Sequence, residues 1–156
     1  MAKLTIRQYR PSDKEEVFKL HVRALKNENV YLYGGKWEKD LENIEGIYLN
    51  NRGEFLVGAI GNKIVAMGGL RKETKDIVEL RRIRVGPVFQ RKGYGQMILD
   101  ALEKRAKELG YKVIELQTTI KQVPAQKFYI KNGYTEFKRE KEGWIIEAIY
   151  YRKEIK

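Results

Sequence analysis

Glu79-Leu-Arg-Arg-Ile83-Arg-Val85-Gly86-Pro87-Val-Phe-Gln90-Arg91-Lys92-Gly93-Tyr94-Gly95-Gln96 is the stretch from which the fold is read. Apolar and charged residues alternate through Ile77, Ile83 and Val85, which predicts a strand over 76–85. Gly86 and Pro87 end it, because proline cannot donate to a ladder. Beyond the loop, Ile98, Leu99, Leu102, Ala106 and Leu109 recur at helical spacing. The order is therefore strand, basic glycine loop, helix start. Such a helix start is an anion site, since its first N–H groups lack partners and the helix dipole adds partial positive charge. Gly93 and Gly95 remove Cβ atoms where a phosphate would approach, Arg91 and Lys92 add full charges, and a diphosphate is the expected ligand. The loop is not a P-loop, which needs Gly-Lys followed by Ser or Thr, nor a dinucleotide fingerprint, whose third glycine would fall at Ile98.

Gln/Arg-x-x-Gly-x-Gly after a strand ending in valine, with Glu79 six residues before Val85, resembles the acetyl-coenzyme A loop of the GNAT superfamily of N-acetyltransferases. Downstream, Ala125-Gln-Lys-Phe128-Tyr129-Ile-Lys-Asn-Gly133-Tyr134 resembles that family's Ala-x-x-Phe-Tyr-x-x-x-Gly-Phe segment. Together the two motifs span residues 79–134. The resemblance implies acetyl-coenzyme A as cofactor, with Ile83, Arg84 and Val85, then Gln90 to Gln96, then Gln122, Gln126 and Phe128 as the cofactor residues. Gln122 stands where many relatives carry an asparagine that bonds the pantetheine arm, so its longer stem is a departure.

Amine attack on a thioester needs a base, a donor for the developing oxyanion and an acid for the leaving thiolate. Glu79 is the candidate base. It is expected to share a strand face with Ile77 and Ile83, where desolvation would raise its pKa; Arg81 lies on the same face, and an ion-paired strand carboxylate is the alternative reading. The resemblance places the carbonyl contact on the Val85 backbone and the general acid at Tyr129. Phe128 and Tyr129 read equally as residues that pack their helix onto the sheet.

Length and composition bound the rest. The 156 residues make one domain, 1–156, with 42% hydrophobic and 34% charged side chains. No apolar run approaches the roughly 18 to 20 residues of a membrane span, and the N-terminus lacks the apolar core of a signal peptide, so a cytoplasmic location is expected. The absence of cysteine excludes disulfides, thiolate metal sites and a cysteine nucleophile. With His21 the single histidine, neither a histidine metal cluster nor a Ser-His-Asp triad is expected, and His21 reads as a structural imidazole. The net charge of +11 attracts anions. It keeps a second reading open, a non-catalytic nucleic-acid-binding protein, although no RNP-like aromatic strand or recognition helix supports that.

The remaining segments fill in the fold. Residues 4–9 read as a strand, and Ser12-x-x-Glu15 as a capping box for a helix over 13–27. Trp37 is expected to open a second helix running to about 50. A hairpin turns at Gly61-Asn62, with Gly68-Gly69 marking a bulge or close approach. A strand over 112–119 should pair in parallel with 76–85; a short helix over 125–132 and a final hairpin turning at Glu142-Gly143 follow. The fold class is thus α+β: a mostly antiparallel mixed sheet with one parallel pair and about four flanking helices, as in the GNAT-like acyl-CoA N-acyltransferase fold. Tyr31, Tyr33 and Trp37 are candidate acceptor-site residues, because the family's connection between its first two helices borders the acceptor. Acidic residues there (Glu28, Glu38, Asp40 and Glu42) are few and mixed with lysines, which disfavours a polycation. An amino acid, another small amine or a protein N-terminus is expected. The strand from Trp144 to Tyr151, apolar on both faces, is a candidate for pairing across a homodimer.

Overall fold

Seven segments form strands: β1 (Thr5–Gln8), β2 (Glu54–Ile60), β3 (Lys63–Lys72), β4 (Ile77–Val85), β5 (Val113–Thr119), β6 (Thr135–Glu142) and β7 (Ile146–Glu154). The computed structural model describes residues 3–27, 39–142 and 146–155, and joins these strands into one sheet of order β1-β2-β3-β4-β5-β7-β6. Every pairing is antiparallel except β4 with β5, which runs parallel from Ile77 opposite Val113 to Leu80 opposite Leu116. A parallel pair needs a long crossover, and the helix after the glycine loop supplies it. The helices are α1 (Lys14–Asn27), α2 (Lys39–Glu42), α3 (Tyr94–Glu108) and α4 (Val123–Lys131). The expected mixed sheet with one parallel pair is thus the observed one.

Each sheet face is covered by its own apolar layer. On one side Ile98, Leu99, Leu102 and Ala106 of α3 pack with Val78, Leu80, Ile114 and Leu116, all buried. On the other, Val17 and Leu20 of α1 join Leu41, Ile44 and Tyr48 against Phe55, Val57 and Met67. Each such side chain contributes about 1.5 to 3 kcal/mol on burial. Gly68 and Gly69 sit where the two layers press on the sheet. A Cβ on Gly68 would come within 2.8 Å of Ile98, and one on Gly69 within 2.8 Å of Phe55.

Three expectations change. The second helix is broken into α2 and a wide π turn, Glu45–Leu49, because the Asn43 side chain accepts the Gly46 N–H at 3.1 Å and competes with the helical ladder; its predicted start lies outside the described residues. Asp13, not Ser12, organises the entry to α1: its carboxylate accepts the Arg10 N–H at 2.8 Å and pairs with Arg7. Finally, β7 is hydrogen-bonded to β5 on one side and β6 on the other. It cannot pair with a second copy, and the sheet edge at that end is β6. Trp144 lies outside the described residues.

Candidate active site

β4 changes character at Arg82. Up to Leu80 it is paired on both sides, and its buried residues are Val78 and Leu80. Arg82 then adopts a left-handed backbone, φ 61°, and the register with β3 slips by one residue between Arg81 and Arg84. A bulge of this kind flips the side-chain alternation. Ile83 and Val85 therefore pack with Val78 and Leu80 against the α3 layer, and Glu79 shares a face with Arg81 but not with Ile83. The expected apolar neighbour of Glu79 is on the wrong side of the sheet. β4 and β5 part beyond Leu80 and Leu116, the last pair between them, and a cleft of about 450 Å³ opens in the gap.

Buried polar contacts hold the bulge. Arg82 donates to both oxygens of Asp40, at 3.0 and 2.6 Å, and the Tyr48 hydroxyl donates to Asp40 at 2.5 Å. Burial disfavours the Asp40 carboxylate, but the Arg82 hydrogen bonds and charge outweigh it and hold its pKa below the usual range. Burial, and then the Asp40 charge, push the Tyr48 hydroxyl up. Next to this group Arg84 reaches His21 Nδ1 at 3.4 Å and the Ile83 carbonyl at 2.9 Å. His21 is fully buried, and burial followed by the Arg84 charge lowers its pKa to about 2. It is a neutral structural imidazole, as its flank position on α1 suggested.

One free edge of β4 faces the cleft. The Gly86 N–H donates to the Val65 carbonyl at 2.8 Å, toward β3. Strand alternation turns the Val85 N–H and C=O the other way, and the Gln90 amide donates to that carbonyl at 3.3 Å. Val85, Ile83, Arg84 and Gln90 all line the cleft.

The loop continues from Gln90 into α3 with two left-handed residues, Arg91 at φ 64° and Gly93 at φ 82°. Gly93 is the N-cap of the 15-residue helix α3; no side chain caps that turn, and a Cβ on Gly93 would meet nothing within 4 Å. An uncapped helix start with open space above a glycine, and the exposed Arg91 and Lys92 beside it, fits an anionic diphosphate. Tyr94 packs on the core, and Gln96 exchanges amide hydrogen bonds with Asn132 at 2.7 and 3.1 Å, tying α3 to α4.

Across the gap, β5 and α4 supply the other wall. Gln122 is fixed at the start of α4, its amide oxygen accepting from Thr118 at 3.1 Å and Thr119 at 3.2 Å. Tyr129 is 9% exposed, stacks edge-on with Phe128 and Tyr134, and lines the cleft. Gln126 and Phe128 are not brought into the cleft: the Gln126 amide donates to the Thr119 carbonyl at 2.9 Å, and Phe128 packs against the core. Packing and a cleft position thus coexist for Tyr129 but not for Phe128.

Glu79 also lines the cleft, and its partner is Arg71, 2.5 Å away, rather than Arg81. Arg71 and Glu79 face each other directly in the β3–β4 register. Glu79 and Tyr129, 50 positions apart in the chain, therefore meet at one opening between two strands. Tyr31, Tyr33 and Trp37 lie outside the described residues. Arg71, the Arg82–Asp40–Tyr48 group and the β5 threonines were not expected. One signal in the sequence does mark the bulge: the apolar positions that pack on the α3 layer switch from even (Val78, Leu80) to odd (Ile83, Val85).

A family model described as the acetyltransferase (GNAT) family matches residues 15–134. The chain is a member of the GNAT family. Its similarity to the uncharacterised N-acetyltransferase YvbK of Bacillus subtilis is 36% identity over 84 residues, 53% of this chain and 54% of that protein. The chain matches 54% and 64% of the length of two such curated relatives. A crystal structure of a GNAT-family acetyltransferase from Staphylococcus aureus Mu50 superposes with a TM-score of 0.90 at 29% identity, covering 99% of this chain and 100% of that one. The protein yncA of Salmonella typhimurium, solved with its cofactor acetyl-CoA, has the same fold at 16% identity, with a TM-score of 0.80 over 98% of this chain and 94% of its own. Among the described residues of this GNAT protein, no helix is long and apolar enough to cross a membrane.

Proposed function

We propose that this GNAT protein is an acetyl-CoA-dependent N-acetyltransferase acting on a primary amine by direct attack. The observation that carries the proposal is the opening between β4 and β5, where the freed Val85 edge, Glu79 and Tyr129 meet beside an uncapped helix start. The N-terminus of α3, Gly93 and the basic loop residues would hold the diphosphate, and Gln122 with the β4 edge the pantetheine arm. Acetyl-CoA would supply a thioester whose carbonyl carbon takes the amine nitrogen, so that the C–N bond forms, the C–S bond breaks, and an N-acetyl amide and coenzyme A leave.

The chain's own groups do the remaining work. The Val85 N–H donates to oxygen charge developing at the carbonyl. Glu79, fixed by Arg71, receives the proton lost by the amine, and the Tyr129 hydroxyl gives one to the departing sulfur. Among the described residues, four arginines (Arg71, Arg81, Arg82 and Arg84) line the cleft against the one carboxylate of Glu79, which opposes a polycationic acceptor.

Thiol release from acetyl-CoA in the presence of a panel of primary amines tests the proposal. Amine-dependent release that falls in both Glu79→Gln and Tyr129→Phe is expected; release indifferent to every amine and to both substitutions would overturn it.

A further inference from the structure

The four cleft arginines are not equivalent. Arg71 pairs with Glu79, Arg82 is held by both oxygens of Asp40, and Arg84 is engaged by His21 and the Ile83 carbonyl. Arg81 has no hydrogen-bond or ion-pair partner among the described residues, yet it lines the cleft and is half-buried. The Asp40 carboxylate, whose pKa the Arg81 charge helps to lower, is already taken by Arg82 and Tyr48.

Arg81 also stands on the right side of the sheet. It precedes the bulge at Arg82, so it shares a face with Glu79, and that face is opposite the α3 layer where the anion-binding helix start lies. Successive same-face residues on a strand are about 7 Å apart, a span over which a small molecule presents an amine to one residue and a carboxylate to the other. Opposite Arg81 across its strand pair is Gly69, which adds no side chain to that face.

We infer that Arg81 binds a carboxylate of the acceptor, so that the acceptor class is an amine bearing an acidic group, of which free α-amino acids are the simplest members. The inference rests on the transferase reading and specifies its acceptor. A planar guanidinium meets a carboxylate with two parallel hydrogen bonds, and in a partly buried cleft such a contact is worth a factor of roughly 10 to 100 in affinity. A polycation, in contrast, meets the surplus of arginine charge with nothing in return.

The test compares L-amino acids with their matched carboxamides, spermidine, and a peptide amide with a free N-terminus, each followed by thiol release at saturating acetyl-CoA, with acetyl-CoA binding measured separately by calorimetry. The acids are expected to exceed their amides in kcat/KM by about tenfold or more, and Arg81→Gln to erase most of that preference through KM, with kcat for the acids changing by less than about threefold. Conservative replacement, Arg81→Lys, should restore part of it, since a lysine keeps the charge without the fork. Amides, spermidine or the peptide amide matching the acids in the parent, or Arg81→Gln weakening acids and amides in equal proportion, would overturn the inference while leaving the transferase reading intact. Failure of acetyl-CoA to bind at all would remove the transferase reading itself.

Discussion

The two halves of β4 are built from the same kinds of residue and do different jobs. Ile77 to Leu80 is clamped between β3 and β5, and its inward side chains, Val78 and Leu80, are core. Ile83 to Val85 keeps only its β3 neighbour, and the edge it presents to the gap carries the Val85 amide. One backbone angle separates the halves. An arginine in the left-handed region costs of order 1 kcal/mol or more, so something must hold it, and the buried Asp40–Tyr48 group does. Without the bulge, the strand would keep its alternation, and Ile83 and Val85 would lie on the face of Glu79 rather than with Val78 and Leu80.

Substitutions can break or sharpen this contrast. The largest effect is expected at the divide. Arg82→Ala leaves Asp40 buried and unpaired and should lower stability by about 3 to 5 kcal/mol in urea unfolding. Arg82→Gly should recover roughly 1 kcal/mol of that loss, because glycine accepts the left-handed angle; an equal loss for both would show that the angle carries no strain. In the clamped half, Val78→Ala, fully buried and outside the cleft lining, should cost about 2 kcal/mol of stability with acetyl-CoA affinity changed by less than about twofold. A weaker cofactor with unaltered stability would erase the distinction between the halves. Across the gap, Tyr129→Phe keeps the packing with Phe128 and Tyr134 and should lower kcat by about 100-fold, close to 2.7 kcal/mol, with the melting temperature held. A rate within about twofold of the parent would make Tyr129 a packing residue alone.

The smallest effect concerns pH at the clamped end. Glu79 and Glu115 face each other across the parallel pair, and Glu73 hydrogen-bonds Glu115. Burial first, then that hydrogen bond and the neighbouring carboxylates, raise the Glu73 pKa to about 7. The native state thus binds a proton that the unfolded chain releases near the usual carboxylate range, so this contribution is fullest at acid pH and is lost as pH rises toward 7. Glu73→Gln should make the protein more stable above pH 7, by less than about 1 kcal/mol because solvent screens the exposed Glu73, and should not do so at about pH 4. An equal change at both pH values would mean that the carboxylates do not share a proton.

What was legible in the sequence was local. The strand, loop and helix from Ile77 to Glu108 follow from residues a few positions apart, and so do the glycines at φ 82°, 89° and 90° that start α3, end it and end α4. Glu79, Tyr129, Val85, Gln90 and Gln122 were expected at the site, and they do line one cleft. What escaped was set by contacts between distant segments. Asp40 and Arg82 are 42 positions apart, and arginine gives no hint of a left-handed angle. The pairing of Glu79 with Arg71 depends on the β3–β4 register, which periodicity leaves open, and that register also moved Ile83 to the far face. Gln126 and Phe128 sit inside a motif whose residues point several ways, and only the helix's packing sorts Tyr129 toward the cleft.

The central claim is that the opening in β4 serves acetyl-CoA held at the α3 start, and calorimetric titration of the parent and of Gly93→Glu with acetyl-CoA tests it most directly. One-to-one binding that disappears when a charged side chain occupies the open space at Gly93 is the predicted result. No binding by the parent, or binding indifferent to the substitution, would contradict it.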